Sequence, residues 1–324
     1  MNFIEKSSRN KTIILNEHDK EDLSKKILSG VESFFENKII HGDSLNIIQD
    51  LPDLFVDLLV VDPPYNLNKV YSSSSFKKMS DLEYQNWLDK WISLIPRILK
   101  PNASIYICCD WSCSPMIYNI ASKYFRVINR ITWEREKGRG ALKNWKNCSE
   151  DIWYFSNGNN PKFNLDNVKL KRKVIAPYKE NGVPKDWQDT SEGKFRFTSP
   201  SNLWTDLTVP FWSMPENTEH PAQKPEKLIA KIILASSDEG DMIFDPFLGS
   251  GTSAVVAKKL GRKFLGIEAE REYCLISQKR IDMADENKRI QGYEDGVFLE
   301  RNTMQQQSSK TTNKDSNKLR GTLL

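Results

Sequence analysis

Asp62-Pro63-Pro64-Tyr65 stands directly after the apolar run Asp57-Leu-Leu-Val-Val-Asp62. A continuous apolar run of that length, stopped by prolines, reads as a strand buried on both faces. In an open parallel sheet, ligands bind at the carboxyl ends of the strands, so the tetrapeptide sits where chemistry is expected. Two consecutive prolines fix the backbone and remove two amide donors, which leaves carbonyls facing outward. A carboxylate, a rigid carbonyl and an aromatic ring together suit a planar amino group: two acceptors for its hydrogens and a ring to stack on. An aryl amine is a poor nucleophile because its lone pair is delocalised. Two acceptors that draw its hydrogens out of plane localise that pair. Taken alone, the motif is equally consistent with a proline-stopped strand and a structural tyrosine.

A second motif, Asp245-Pro-Phe-Leu-Gly-Ser-Gly-Thr252, again joins a strand to a helix through a glycine turn. Gly249 and Gly251 allow a ligand close to the backbone and open a helix N-terminus. The spacing is not that of the dinucleotide fingerprint and lacks the Lys-Ser/Thr ending of a phosphate loop, so nucleotide phosphates are disfavoured. Glu268, closing the next strand, is placed to accept both hydroxyls of a ribose. A glycine turn kept for packing alone would explain either half of this motif more readily than both together.

The elements around these motifs alternate. Strands are expected at Lys38 to Asp43, Asp57 to Asp62, Ser104 to Cys108, Val127 to Trp133, Asp241 to Asp245 and Lys263 to Ile267. Helices are expected at Leu82 to Leu99, Met116 to Tyr124, Pro225 to Ala235, Ser253 to Leu260 and Arg271 to Lys288. That alternation argues for an α/β fold, a mostly parallel sheet with helices on both faces. Residues 1–35 form a polar N-terminal extension without a packing period. Residues 157–215 are rich in Asn, Lys, Pro and aromatics and show no sustained period. The tail at 291–324, polar and repetitive from Asn302 onward, is expected to be disordered.

Composition narrows the class. The chain has 324 residues with 47 Lys+Arg against 43 Asp+Glu, a net charge of +4, so bulk charge does not announce a partner. The N-terminus carries no apolar secretion signal, and no apolar run reaches the roughly 20 residues needed to span a bilayer. A cytoplasmic protein with no membrane partner is the expectation. Three histidines and five cysteines without a Cys-x-x-Cys pair leave a metal site short of ligands, and none is expected.

The two motifs together resemble the beta class of DNA amino-methyltransferases, in which the catalytic Asp-Pro-Pro-Tyr precedes the Phe247-x-Gly249-x-Gly251 cofactor motif. His220-Pro-Ala-Gln-Lys224-Pro is similar to the stretch that precedes that motif in the class. The resemblance covers residues 38 to about 288. It implies a seven-stranded, circularly permuted, Rossmann-like methyltransferase sheet. The catalytic half is expected at 36–156, an inserted target-recognition region at 157–215 and the cofactor-binding half at 216–290. It implies S-adenosyl-L-methionine as cofactor, with Asp245 near its methionyl end, Glu268 on its ribose, Asp43 on its adenine amine and Lys224 with its neighbours, His220 among them, closing the pocket. In this reading Asp43 ends the strand next to that of Asp62. The substrate implied is a base flipped out of double-stranded DNA, since its amine is unreachable in the duplex. A cognate restriction endonuclease is the expected companion.

Basic residues fall where DNA would enter. Arg135, Lys137, Arg139 and Lys143 lie in one run, and Lys171, Arg172 and Lys173 in another, with Trp145, Phe163 and Tyr178 interleaved. A solvated charged loop would account for either run alone. Adenine is favoured over cytosine because adenine enzymes of the family usually carry Asp at the position of Asp62, where cytosine-amine enzymes more often carry Ser. Related motifs occur in glutamine and RNA methyltransferases, but there the cofactor motif usually comes first. A non-catalytic DNA-binding regulator on the same fold is the reading from another class.

Overall fold

The computed structural model describes residues 8–72, 74–135, 142–174, 179–184, 186–190 and 193–299. From the N-terminus these form α1 (Glu17–Ser24), β1 (Lys38–His41), α2 (Ser44–Asp50), β2 (Val56–Val61), and the hairpin β3 (Lys69–Val70) and β4 (Ser75–Phe76). Next come α3 (Asp81–Ile92), α4 (Ile95–Ile98), β5 (Leu99–Cys109), α5 (Ser114–Ala121), β6 (Arg126–Glu134) and β7 (Ser149–Ser156). A run of short strands follows: β8 (Leu170–Lys173), β9 (Lys179–Glu180), β10 (Val183–Pro184), β11 (Gln188–Thr190), β12 (Gly193–Thr198) and β13 (Leu203–Trp204). The chain then builds α6 (Glu226–Ser236), β14 (Met242–Asp245), α7 (Thr252–Lys259), β15 (Lys263–Glu268), α8 (Arg271–Glu286), β16 (Tyr293–Glu294) and β17 (Val297–Leu299).

The main sheet has eight strands in the order β1-β15-β14-β2-β5-β7-β6-β13, with β7 alone antiparallel to its neighbours. The eighth strand, β13, is only two residues long and adds to the seven expected. Alternation along β2 shows why its sequence is apolar throughout. Leu58 and Val60 join one core with α6, α7 and α8, whereas Leu59 and Val61 join the other with α2, α3 and α5. All the parallel strands end on one edge, and the antiparallel β7 begins there. That edge therefore collects Asp62, Asp245, Glu268, Glu150 and, one turn beyond β1, Asp43.

Four expectations are corrected. The helix expected at Leu82 to Leu99 is broken after Ile92, because Pro96 has no amide to donate and its ring disfavours a continuing helix. Asp43 does not end a strand beside that of Asp62: β15 and β14 lie between β1 and β2. Residues 1–35 are not featureless, since α1 is closed by an Asn16/Asp19 capping box and puts Leu23 into the core. The expected disorder at 291–324 fails at 293–299, where β16 and β17 extend a second sheet, β11-β12-β8-β17-β16, and Phe298 is fully buried. Residues 302–324 lie outside the described residues. Asp206, just after β13, is tied to α6 by buried ion pairs with Lys227 and Lys231 at 2.8 and 2.5 Å.

Candidate active site

Asp62 leaves the end of β2 between two donors. Its Oδ2 accepts from Lys224 Nζ at 2.6 Å, and its Oδ1 accepts from the Tyr65 hydroxyl at 2.9 Å. The same hydroxyl lies 3.1 Å from Glu150 Oε2, and Lys224 Nζ is 3.5 Å from that oxygen and 5.3 Å from the Tyr65 ring centre. Arg135 completes the group with Nη1 at 2.5 Å from Glu150 Oε1. Two carboxylates thus face two cations in a corner that is largely closed to water. Burial pushes the Asp62 carboxyl above its ordinary range, with the Lys224 ammonium pulling the other way. Burial also works against the Lys224 ammonium, but Asp62 and Glu150 outweigh it and hold the amine protonated.

Beside this corner opens a cavity of about 370 Å³. Its walls include Asp62, Pro63, Pro64 and Tyr65 together with Asp43, His220, Lys224, Asp245, Phe247, Gly249 and Glu268. The carboxylates are held by backbone donors. Glu268 accepts from the Gly249 and Glu270 amides at 2.7 and 2.8 Å, and Asp245 accepts from the Phe247 amide at 3.0 Å and from Ser253 Oγ at 2.5 Å. Asp43 caps α2 through the Leu45 amide at 2.8 Å. Burial nonetheless pushes both Glu268 and Asp245 up to about 7. His220 is driven down to about 3, first by burial and then by Lys224, and is a neutral ring. It packs tightly on Gly249: a Cβ there would stand 3.1 Å from His220 Nε2. Gly251 itself does not line the cavity, but its φ of +80° makes the turn into α7.

The matching family model, described as DNA methylase, spans residues 56–279. The chain belongs to the DNA methylase family. The Type II methyltransferase M.BglII of Bacillus subtilis is 32% identical over 286 residues, 84% of this chain and 76% of that protein. The DNA adenine methyltransferase YhdJ of Escherichia coli K12 is 35% identical over 253 residues, 76% of this chain and 83% of that protein. Among solved structures, M1.HpyAVI in its complex with SAM superposes with a TM-score of 0.52 at 25% identity, covering 75% of this chain and 98% of that one.

The structure separates the methylase's basic residues. Arg135 turns inward onto Glu150, whereas Lys143 is exposed on the loop before β7. Lys171, Arg172 and Lys173 lie together on β8 of the second sheet. Lys137 and Arg139 lie outside the described residues, as does Tyr178. Sequence reasoning missed Glu150, although its signal was present: an acidic pair, Glu150-Asp151, opens the otherwise apolar strand Ile152-Trp-Tyr-Phe155. It also missed the β3–β4 hairpin as part of the cavity wall. Lys69 there reaches Pro221 O at 3.4 Å, Tyr71 meets Tyr273 edge to face at 6.5 Å, and Ser72 bonds Glu272. Among the described residues, no group of His, Cys, Asp and Glu is arranged to hold a metal, and no helix is long and apolar enough to cross a membrane.

Proposed function

We propose that this methylase transfers a methyl group from S-adenosyl-L-methionine to the N6 amine of an adenine flipped out of double-stranded DNA, as the modifying member of a restriction-modification pair. The observation that carries the reading is the junction of Asp62 and Tyr65 with a cavity lined by buried carboxylates. The cavity suits the cofactor on its own chemistry. Asp245 is buried and Glu268 half-buried, and neither is ion-paired among the described residues, which makes them complementary to a cationic sulfonium and amine and to a ribose diol. The volume is in the range of pockets that enclose a small ligand. Glu268 would take the ribose, Asp245 the methionyl end and Asp43 the adenine amine, with Phe247 packed beside the base and His220 and Lys224 closing the pocket. The cofactor, when bound, supplies the methyl group.

The rest belongs to the protein. Asp62 and the Pro63 carbonyl each accept one hydrogen of the target amine and localise its lone pair, and Tyr65 stacks on the ring. A charge-assisted bond to Asp62 is about twice as strong as a neutral one. Because burial raises its proton affinity, Asp62 is also suited to receive the proton that the methylated amine releases. Adenine is favoured by Asp at position 62 and by the likeness to YhdJ, whose name specifies adenine. Pairing with an endonuclease is supported by the Type II methyltransferases among the relatives.

The test is to incubate purified protein with duplex DNA and labelled cofactor, digest the DNA to nucleosides and identify the product by mass. N6-methyladenine is expected. N4-methylcytosine as the sole product would overturn the choice of base, and DNA binding without any transfer would make the protein a regulator.

A further inference from the structure

Glu150 has a position that catalysis can use. Antiparallel pairing of β7 with β6 sets Glu150 opposite Trp133, on the edge where β2 delivers Asp62. Its carboxylate is buried and pinned through Oε1 by Arg135, while Oε2 lies within hydrogen-bond distance of the Tyr65 hydroxyl. That hydroxyl has one proton and two acceptors in reach, Asp62 Oδ1 at 2.9 Å and Glu150 Oε2 at 3.1 Å. It donates to one at a time. Asp62 Oδ2 is already occupied by Lys224. When the tyrosine also donates to Asp62, both of its oxygens carry a donor and its capacity to draw on a further hydrogen is reduced.

Resting on the functional reading above, we propose that Glu150 is a positioning residue for methyl transfer. It accepts the Tyr65 hydroxyl hydrogen when a target amine arrives and so frees Asp62 Oδ1 to accept the amine. The step is a rotation of the hydroxyl; no covalent bond forms or breaks. Arg135 keeps the Glu150 carboxylate aimed at the tyrosine. Without Glu150 the hydroxyl has Asp62 as its remaining carboxylate acceptor and competes with the substrate for it.

A double-mutant cycle tests this. Methyl transfer is measured in single turnovers with enzyme in excess, at saturating DNA and cofactor, for the parent, Glu150→Ala, Tyr65→Phe and the double variant. Glu150→Gln is run through the same cycle. It keeps the shape if the alanine variant folds poorly, and with its carbonyl claimed by Arg135 it turns an amide nitrogen, which cannot accept, toward the tyrosine. The expected result is a loss of about tenfold or more for either Glu150 variant in the parent background, with cofactor affinity nearly unchanged. In the Tyr65→Phe background, where no hydroxyl competes, the same change costs at least about fivefold less. Equal losses in both backgrounds, or no loss in the parent background, overturn the inference alone. A parent protein that methylates no DNA overturns the functional reading and the inference with it.

Discussion

Asp62 and Glu268 are both half-buried acids, and the different duties proposed for them go with different surroundings. Asp62 is matched by Lys224, and under the proposed mechanism its replacement is felt at the substrate. Asp62→Asn keeps the shape beside Lys224 but turns one acceptor into a donor, and should cost about 100-fold or more in transfer rate. Cofactor affinity, measured by calorimetry without DNA, should hardly change; near-normal turnover would refute the assignment. Among the described residues no cation pairs with Glu268 or Asp245, and burial pushes each up to about 7. The folded chain therefore binds more protons than the unfolded chain between their ordinary values, 4.5 and 3.8, and about 7. The contribution of these groups to stability accordingly falls as pH rises through that window. Under the proposed assignment, binding runs the other way, because ribose hydroxyls and a sulfonium favour the ionised carboxylates. Cofactor affinity should rise with pH up to about 7 and level off above it, and Glu268→Gln should remove its share of the slope. His220, neutral throughout this range, contributes nothing to it. Calorimetric titrations that give a flat profile for the parent would detach both acids from the cofactor.

The glycine turn before α7 shows how an element imposes its needs on the sequence. Gly251 sits at φ +80°, and a Cβ there would lie 2.7 Å from the Ser277 Cβ of α8. Gly251→Ala should therefore cost about 1–3 kcal/mol in urea unfolding, from strain and from the separation of α7 and α8. Ser277→Gly in the same chain should recover part of this by relieving the contact, though not the left-handed backbone; full additivity would show that the contact does not matter. The turn was legible in the sequence because glycine spacing after a buried strand has few other uses, and the apolar runs of β2, β14 and β15 were legible for the same kind of reason. The parts that were not legible depend on distant partners. The order of strands across the sheet placed two strands between β1 and β2, which no local pattern encodes. Strand β17 is three residues long and owes its burial to pairing with β8 far back in the chain. Glu150 escaped notice because its meaning comes from Tyr65, Lys224 and Arg135, of which only Arg135 is near it in sequence.

At the scale of the molecule, a net charge of +4 hides an uneven distribution. The cavity is acidic, while basic residues gather on the second sheet. Strand alternation divides the β8 run between two faces. Leu170 and Arg172 share one face: Leu170 is buried in the core, and Arg172, half-buried like Lys171, has its Nε enclosed and its charge felt by the buried Lys231. Lys171 and Lys173 share the other, where Lys171 Nζ lies 4.6 Å from the Phe195 ring centre of β12 and Phe197 is 45% exposed. Basic heads among partly exposed rings are what a nucleic-acid backbone and its sugars would meet. Each lysine that neutralises a phosphate contributes about 0.9 to the slope of log affinity against log salt on duplex DNA. Lys171→Gln with Lys173→Gln should therefore lower that slope by nearly two units while leaving the unfolding midpoint close to that of the parent. Arg172→Gln should do the reverse, changing stability through its enclosed Nε beside Lys231 with little effect on the slope. Binding isotherms over a series of salt concentrations, paired with denaturation curves, separate the two faces. A slope that shifts with Arg172 but not with the two lysines would mean that the opposite face of this sheet meets the DNA.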